Sequence, residues 1–178
     1  RDNPFMSGQF LWTGIDYLGE ANWPEISRNV ALLDRNGYIK PLGYERQSWW
    51  SCTPMVKVVR SEDNGGRGPL KMDWTPADFG AYDEAHLFVY SNCDEVEIVL
   101  NGESKGRQTI HQDATPRFWN IEFEPGVLKA IGYNKGAVVS VDELVTADTG
   151  VKLELKAERT TVKNDWDDLV YVTASIVD

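Results

Sequence analysis

The chain has 178 residues, a length that accommodates one domain or two small ones. Hydrophobic residues make up 42% of it and aromatic residues 11%, which is typical of a protein with a packed core and excludes general disorder. The formal net charge of −10 opposes binding to nucleic-acid phosphates and to anionic lipid headgroups, so we predict neither nucleic acid nor membrane as a partner.

The first sixty residues have the pattern of a strand, a loop and a helix. Residues 9–17 mix apolar side chains densely with small ones, which predicts a strand buried on both faces. A short helix is predicted over residues 25–33, and a longer one over residues 44–55, where Pro54 ends the pattern. This order is that of one βα unit, which we assign to residues 1–60.

Residues 61–72 are rich in glycine and charged side chains and have no periodicity, which predicts a linker. After the linker the pattern is β. In residues 95–100, Val96, Ile98 and Leu100 alternate with the side chains of the opposite face, as in a half-buried strand. Asn101-Gly102 then predicts a type I′ hairpin turn. Further strands are predicted over residues 86–90, 117–123, 127–133 and 137–144.

Short strands separated by turns predict an immunoglobulin-like β-sandwich over residues 73–146. The strand pattern starts again at residues 152–157 and 169–177, but two or three strands are too few for an independent domain. We therefore predict that residues 147–178 begin a further immunoglobulin-like domain. The predicted fold class is mainly β, with a βα unit in front of the sandwich.

The two cysteines, Cys52 and Cys93, lack the spacing of a zinc site, so we predict neither a metal nor another cofactor. Buried free thiols are the more common arrangement for such residues. A disulfide between them is the alternative that the sequence leaves open.

Three motifs, in this order, resemble the β-galactosidase and β-glucuronidase superfamily, glycoside hydrolase family 2. The run from Gly8 to Glu20, GQFLWTGIDYLGE, looks like the eighth strand of the family's (β/α)8 barrel and the loop after it. The run YSNCDEVEIVLNGES, from Tyr90 to Ser104, is similar to the immunoglobulin-like domain that follows the barrel. The run DWDDLVYVT, beginning at Asp165, looks like the opening of the next such domain.

The resemblance implies a retaining exo-β-glycosidase from a bacterium, with an oligosaccharide or glycoside as substrate and a periplasmic or extracellular location. In this family two glutamates on the fourth and seventh barrel strands carry the catalysis. Those strands would precede the present residues, and no Asn-Glu pair of the family's acid/base type occurs in the sequence. The chain is therefore expected to be inactive by itself.

Two residues of the strand-eight motif are candidate substrate-binding residues. Trp12 matches the tryptophan that the family places at the carboxyl end of strand eight, where its indole would form an apolar wall for a sugar. Asp16 lies four residues later, on the same face if the strand continues, and could accept hydrogen bonds from sugar hydroxyls. A core tryptophan and a loop-capping aspartate are the respective alternatives. Tyr17 and Glu20 are weaker candidates.

The other tryptophans are interpreted as packing residues: Trp23, Trp49 and Trp50 around the predicted helix, and Trp74 and Trp119 in the sandwich. A different class of function remains open, a non-catalytic sugar-binding or adhesin-like module in which Trp74 or Trp119 is an exposed platform. A βα fragment without its barrel neighbours would also expose apolar surface, so self-association through residues 1–60 is expected.

Overall fold

The computed structural model describes residues 5, 7–8, 10–63, 66–148 and 152–177. Its secondary structure is mainly β, as predicted. The elements are β1 Tyr17–Leu18, β2 Ser27–Arg28, α1 Pro41–Trp50, β3 Val56–Ser61, β4 Leu70–Lys71, β5 Glu84–Ser91, β6 Glu95–Leu100, β7 Glu103–Thr109, β8 Arg117–Glu122, β9 Val127–Asn134, β10 Ala137–Val145, β11 Lys152–Ala157 and β12 Val172–Val177.

Two antiparallel four-stranded sheets form the centre of the fold. One sheet has the strand order β4-β3-β5-β8 and the other the order β10-β9-β6-β7. In β6 the side chains of Val96, Ile98 and Leu100 are buried and those between them are half-buried. This alternation matches the prediction, and it arises because successive side chains of a strand point to opposite faces of the sheet.

The hydrophobic core contains buried side chains of both sheets, so the sheets pack as the predicted β-sandwich. Trp74 is completely buried in this core, and its Nε1 donates a hydrogen bond to the Glu124 carbonyl oxygen at 3.0 Å. Trp119, on β8, is only 6% exposed. The hypothesis that either tryptophan is an exposed sugar platform is therefore wrong.

The predicted hairpin turn at Asn101-Gly102 is confirmed between β6 and β7. Asn101 has φ +51° and Gly102 has φ +87°, the left-handed conformations that a type I′ turn requires at both central positions. The Asn101 side chain also accepts a hydrogen bond from the Val127 N–H at 2.9 Å and donates one to the Pro125 carbonyl at 3.0 Å. The turn is thereby attached to the start of β9.

The sandwich begins earlier than the sequence suggested. β3, predicted to belong with the βα unit, pairs with β5, and β4, within the predicted linker, pairs with β3. The side chain of Arg60 explains why residues predicted to form a linker belong to the sandwich. It is almost fully buried and binds Asp73 Oδ1 at 2.6 Å and the Thr75 carbonyl at 2.9 Å, so it holds the polar residues after β3 on the sandwich.

The amino-terminal segment also differs from its prediction. Gln9 lies outside the described residues, and residues 10–14 form no strand. Ile15 makes an isolated parallel bridge to Leu33. The short helix predicted over residues 25–33 is wrong, because β2 lies there and pairs with β1. Helix α1 begins at Pro41, where a fixed φ suits the first turn, and ends at Trp50, before the predicted stop near Pro54.

The chain divides into two compact units, residues 1–145 and 146–178. In the second unit β11 and β12 pair as an antiparallel ribbon. The predicted strand over residues 152–157 is confirmed, whereas β12 starts three residues later than predicted. Both cysteines are free, Cys93 buried as expected and Cys52 exposed.

Candidate functional site

The site predicted from the strand-eight motif centres on Trp12, which is 73% exposed. Its Nε1 donates a hydrogen bond to the Tyr17 hydroxyl at 3.2 Å, and the two rings meet edge to face with 6.3 Å between their centroids. The Tyr17 hydroxyl in turn donates a short hydrogen bond to Glu20 Oε2. This chain of contacts holds one edge of the indole and leaves most of its surface open.

Asp16 lies in a different environment, being only 7% exposed. Its Oδ1 accepts hydrogen bonds from the Ala31 N–H at 2.8 Å and from Lys40 Nζ at 3.1 Å, and its Oδ2 accepts one from Lys40 Nζ at 2.9 Å. The expected shared face of Trp12 and Asp16 depended on a continuous strand, which the structure does not contain between them. The two side chains therefore differ sharply in exposure.

The Asp16 carboxylate is charged and structurally engaged. Burial opposes its ionisation, but the hydrogen bonds from Lys40 and Ala31 outweigh burial and lower the pKa of Asp16 below its ordinary value. Lys40 also donates to the Asn29 carbonyl oxygen at 3.0 Å. One ion pair thus connects the loop after Trp12, the segment that follows β2 and the residue before α1.

Lys40 and Ala31 are the site residues that the sequence analysis missed. A buried carboxylate requires a cationic or hydrogen-bonding partner, and this requirement is the one general signal that points to such residues. Lys40 is 24 positions from Asp16, however, and no periodicity relates the two residues. The partner therefore follows from the tertiary fold alone.

The tryptophans interpreted as packing around the helix are exposed in the structure. Trp23 is 89% exposed, Trp50 69% and Trp49 45%. The described residues supply no element that covers them, so the interpretation that they pack against neighbouring barrel elements stays a prediction. Trp49 does make one defined contact, a hydrogen bond from its Nε1 to the Ala114 carbonyl oxygen at 3.0 Å.

Within its described ranges the chain has neither a cluster of metal-binding side chains nor a helix that could span a membrane. Among residues 10–63, 66–148 and 152–177, no group of three or more histidine, cysteine or carboxylate side chains could hold a metal ion. In that same part of the chain, no helix has the length and apolar character needed to cross a membrane.

Comparison with known proteins gives relatives along the whole chain. Residues 83–140 match a family described as a domain of unknown function, DUF4982. A β-galactosidase from Bacteroides ovatus is 33% identical over 182 aligned residues, which is all of this chain but 20% of that protein. The chain thus spans about a fifth of the length of this curated relative.

Solved structures that resemble the chain are also glycoside hydrolases, of which it covers a part. A glycosyl hydrolase family 2 member from Bacteroides cellulosilyticus superposes with a TM-score of 0.80 at 32% identity, covering 96% of this chain and 25% of that one. A β-glycosidase from Bacteroides vulgatus superposes with a TM-score of 0.77 at 28% identity, covering 98% and 21%. The chain belongs to glycoside hydrolase family 2, of whose members it represents a segment.

Proposed function

We propose that this segment supplies one wall of the sugar site of a retaining exo-β-glycosidase and carries accessory domains, while the catalytic glutamates lie elsewhere in the parent enzyme. Such enzymes place two carboxyl groups about 5–5.5 Å apart, one to protonate the leaving oxygen and one to attack the anomeric carbon. In this proposal residues before β3 are the last βα unit of the barrel, followed by one immunoglobulin-like sandwich and the start of another.

The observation that carries the proposal is the state of Trp12. An indole that is 73% exposed yet held by a hydrogen bond to Tyr17 is a pre-positioned apolar surface, and the C–H face of a sugar ring fits such a surface. Tyr17 and Glu20 support this wall in the proposal. Their contact chain fixes the indole without covering its faces.

We extend the proposal to Asp16. A carboxylate has about four acceptor positions, and among the described residues Asp16 uses three of them, with Oδ2 bound there by Lys40 alone. One position on Oδ2 is therefore left for a sugar hydroxyl. The near-complete burial of Asp16 restricts this contact to a group that reaches inward past the loop.

Apolar surface in front of the sandwich supports the barrel part of the proposal. An open cavity of about 350 Å³ lies beside α1 and has a mostly apolar lining that includes Leu32, Leu33, Ile39 and Trp50. Phe10 and Leu18 are exposed as well. Neighbouring barrel elements would cover this surface in the parent, and in the isolated chain we propose that it mediates self-association.

The first test is an assay of the isolated chain on chromogenic β-galactoside and β-glucuronide substrates. We expect no release of chromophore above the buffer control, because the chain lacks the two catalytic glutamates of the proposal. Turnover that co-purifies with the chain and saturates with substrate would contradict the proposed division of labour.

The second test is Trp12→Ala in the parent enzyme. Loss of a stacking wall is expected to lower kcat/KM by about 10- to 100-fold, equivalent to about 1.4–2.8 kcal/mol of transition-state stabilisation. Trp23→Ala is the matched control, since Trp23 is an exposed tryptophan of the same segment whose indole has no hydrogen bond to the part of the chain that the structure describes. Equal kinetic effects of the two substitutions would remove the special role of Trp12.

A further inference from the structure

A second concave site lies between α1 and the sandwich, lined by none of the residues of the Trp12 site. This cleft has a volume of about 450 Å³, within the range of about 300–1,000 Å³ that is usual for small-molecule sites. Its principal lining residues are Glu45, Trp49 and Trp50 of α1, Tyr90 of β5, and Asp113 and Arg117 before and in β8.

Hydrogen bonds fix the wall of the cleft opposite the helix. The Trp49 Nε1 donates to the Ala114 carbonyl oxygen at 3.0 Å, which attaches the loop before β8 to α1. Asp113 Oδ1 accepts hydrogen bonds from the Thr115 N–H at 3.1 Å and the Thr115 hydroxyl at 2.8 Å. Ala114 has φ +61°, an uncommon conformation for a residue with a side chain. The cleft is consequently preformed, which reduces the entropy lost when a ligand binds.

The lining combines open aromatic surface with hydrogen-bonding groups. Trp50 is 69% exposed, and its indole N–H has no acceptor among the described residues. Arg46 lies 4.1 Å from the centroid of the Trp49 ring and so stacks on one face of that ring. Trp50 is therefore the more open of the two aromatic surfaces.

Two almost completely buried polar side chains line the cleft. Arg117 donates through Nε to the Thr109 carbonyl at 2.9 Å and through Nη2 to the Cys93 carbonyl at 2.7 Å. Burial, together with the nearby Glu45 carboxylate, raises the pKa of Tyr90 to about 12, so its hydroxyl remains a proton donor at neutral pH. The carboxylates of Glu45 and Asp113 add acceptors.

From this arrangement we infer that the cleft between α1 and the loop before β8 is a non-catalytic binding site for a neutral sugar of one or two residues. A sugar presents an apolar C–H face to an indole, and each of its hydroxyls both donates and accepts hydrogen bonds. Among the charged lining residues the two carboxylates outnumber the single guanidinium of Arg117, which disfavours an acidic sugar. The inference goes beyond the proposed function, and the Trp12 site shares no residue with the cleft. Trp50 also borders the apolar cavity beside α1 that barrel elements cover in the proposed parent, so the sugar is inferred to meet the part of the indole that lines the cleft.

The test uses the complete chain, titrated with galactobiose, cellobiose and glucuronic acid while the indole N–H signals of its seven tryptophans are followed by NMR. We expect at least one neutral disaccharide to shift the Trp50 and Trp49 signals with a Kd of about 0.1–10 mM. The signal of Trp166, an exposed residue of the second unit, should not move.

Three variants make the result specific. Trp50→Ala is expected to weaken binding at least about 10-fold, and Trp49→Phe, which keeps a ring but loses the bond to Ala114, should weaken it several-fold. Trp166→Ala and Trp23→Ala, which change exposed tryptophans outside the cleft, should leave the affinity unchanged. The inference is overturned if no neutral sugar binds saturably, if glucuronic acid binds more tightly than both disaccharides, or if only Trp12→Ala removes binding.

Discussion

Trp74→Ala is expected to destabilise the sandwich by about 3–5 kcal/mol, the usual cost of removing a buried tryptophan side chain. Trp74 is completely buried, its ring lies 5.0 Å from that of Phe123, and its Nε1 satisfies the Glu124 carbonyl oxygen. The substitution leaves a cavity and an unpaired acceptor together. The measurement is the free energy of unfolding from urea titration, followed by near-ultraviolet circular dichroism.

Two control variants separate these contributions. Trp74→Phe keeps an aromatic ring but loses the donor to the Glu124 carbonyl oxygen. Its free energy of unfolding should therefore lie between those of the wild type and Trp74→Ala. Trp166→Ala removes a fully exposed tryptophan and should change the free energy of unfolding by less than about 0.5 kcal/mol. A loss of under about 1 kcal/mol for Trp74→Ala would show that this side chain does not organise the core.

Asp16→Ala is expected to lower the free energy of unfolding by about 2–3 kcal/mol at pH 7. Removing one member of a buried ion pair costs about 3–5 kcal/mol, and the partial exposure of Lys40 reduces that figure here. The Ala31 N–H also loses its acceptor. The stabilities of wild type and variant, measured by urea unfolding between pH 7 and pH 2, test this expectation.

The difference in free energy of unfolding between wild type and Asp16→Ala should become smaller as the pH falls. The pKa of Asp16 is lower in the folded chain than its ordinary value of 3.8, so its contribution is complete above that value. The contribution is lost as the pH falls through the lowered folded pKa, because protonation then favours the unfolded state. The free energies of unfolding of wild type and Asp16→Ala should therefore become equal in strong acid.

Lys40→Met completes a double-mutant cycle, which shows how much of the lost free energy of unfolding comes from the ion pair. The double variant with Asp16→Ala should be less destabilised than the sum of the two single variants. Glu154→Ala breaks the exposed pair with Lys152 and serves as the matched control, with an expected loss of about 0–1 kcal/mol. If Asp16→Ala lowers sugar affinity in the parent but leaves stability unchanged, Asp16 acts on substrate and not on the fold.

Local patterns predicted those elements whose burial follows from their own side chains. β6 shows its alternation directly in Val96, Ile98 and Leu100, and Asn101-Gly102 specifies its turn through backbone conformation. β3 was not predicted, since its Arg60 resembles a surface residue until the remote acceptors Asp73 and Thr75 are known. The strand predicted over residues 9–17 is absent from the described residues 10–14 for a related reason. A strand requires neighbouring backbone to bond with, and an isolated bridge at Ile15 is all that the described residues provide.

The sequence by itself determined the family, the mainly β fold class and the sandwich hairpin, because motifs and periodicities are local properties of the chain. Tertiary structure alone decided that Asp16 pairs with Lys40, that Trp74 is buried while Trp50 is exposed, and that Trp49 meets Ala114 across 65 positions. Each of these depends on contacts between segments that are distant in sequence, and the three-dimensional packing of those segments determines which side chains lose their water.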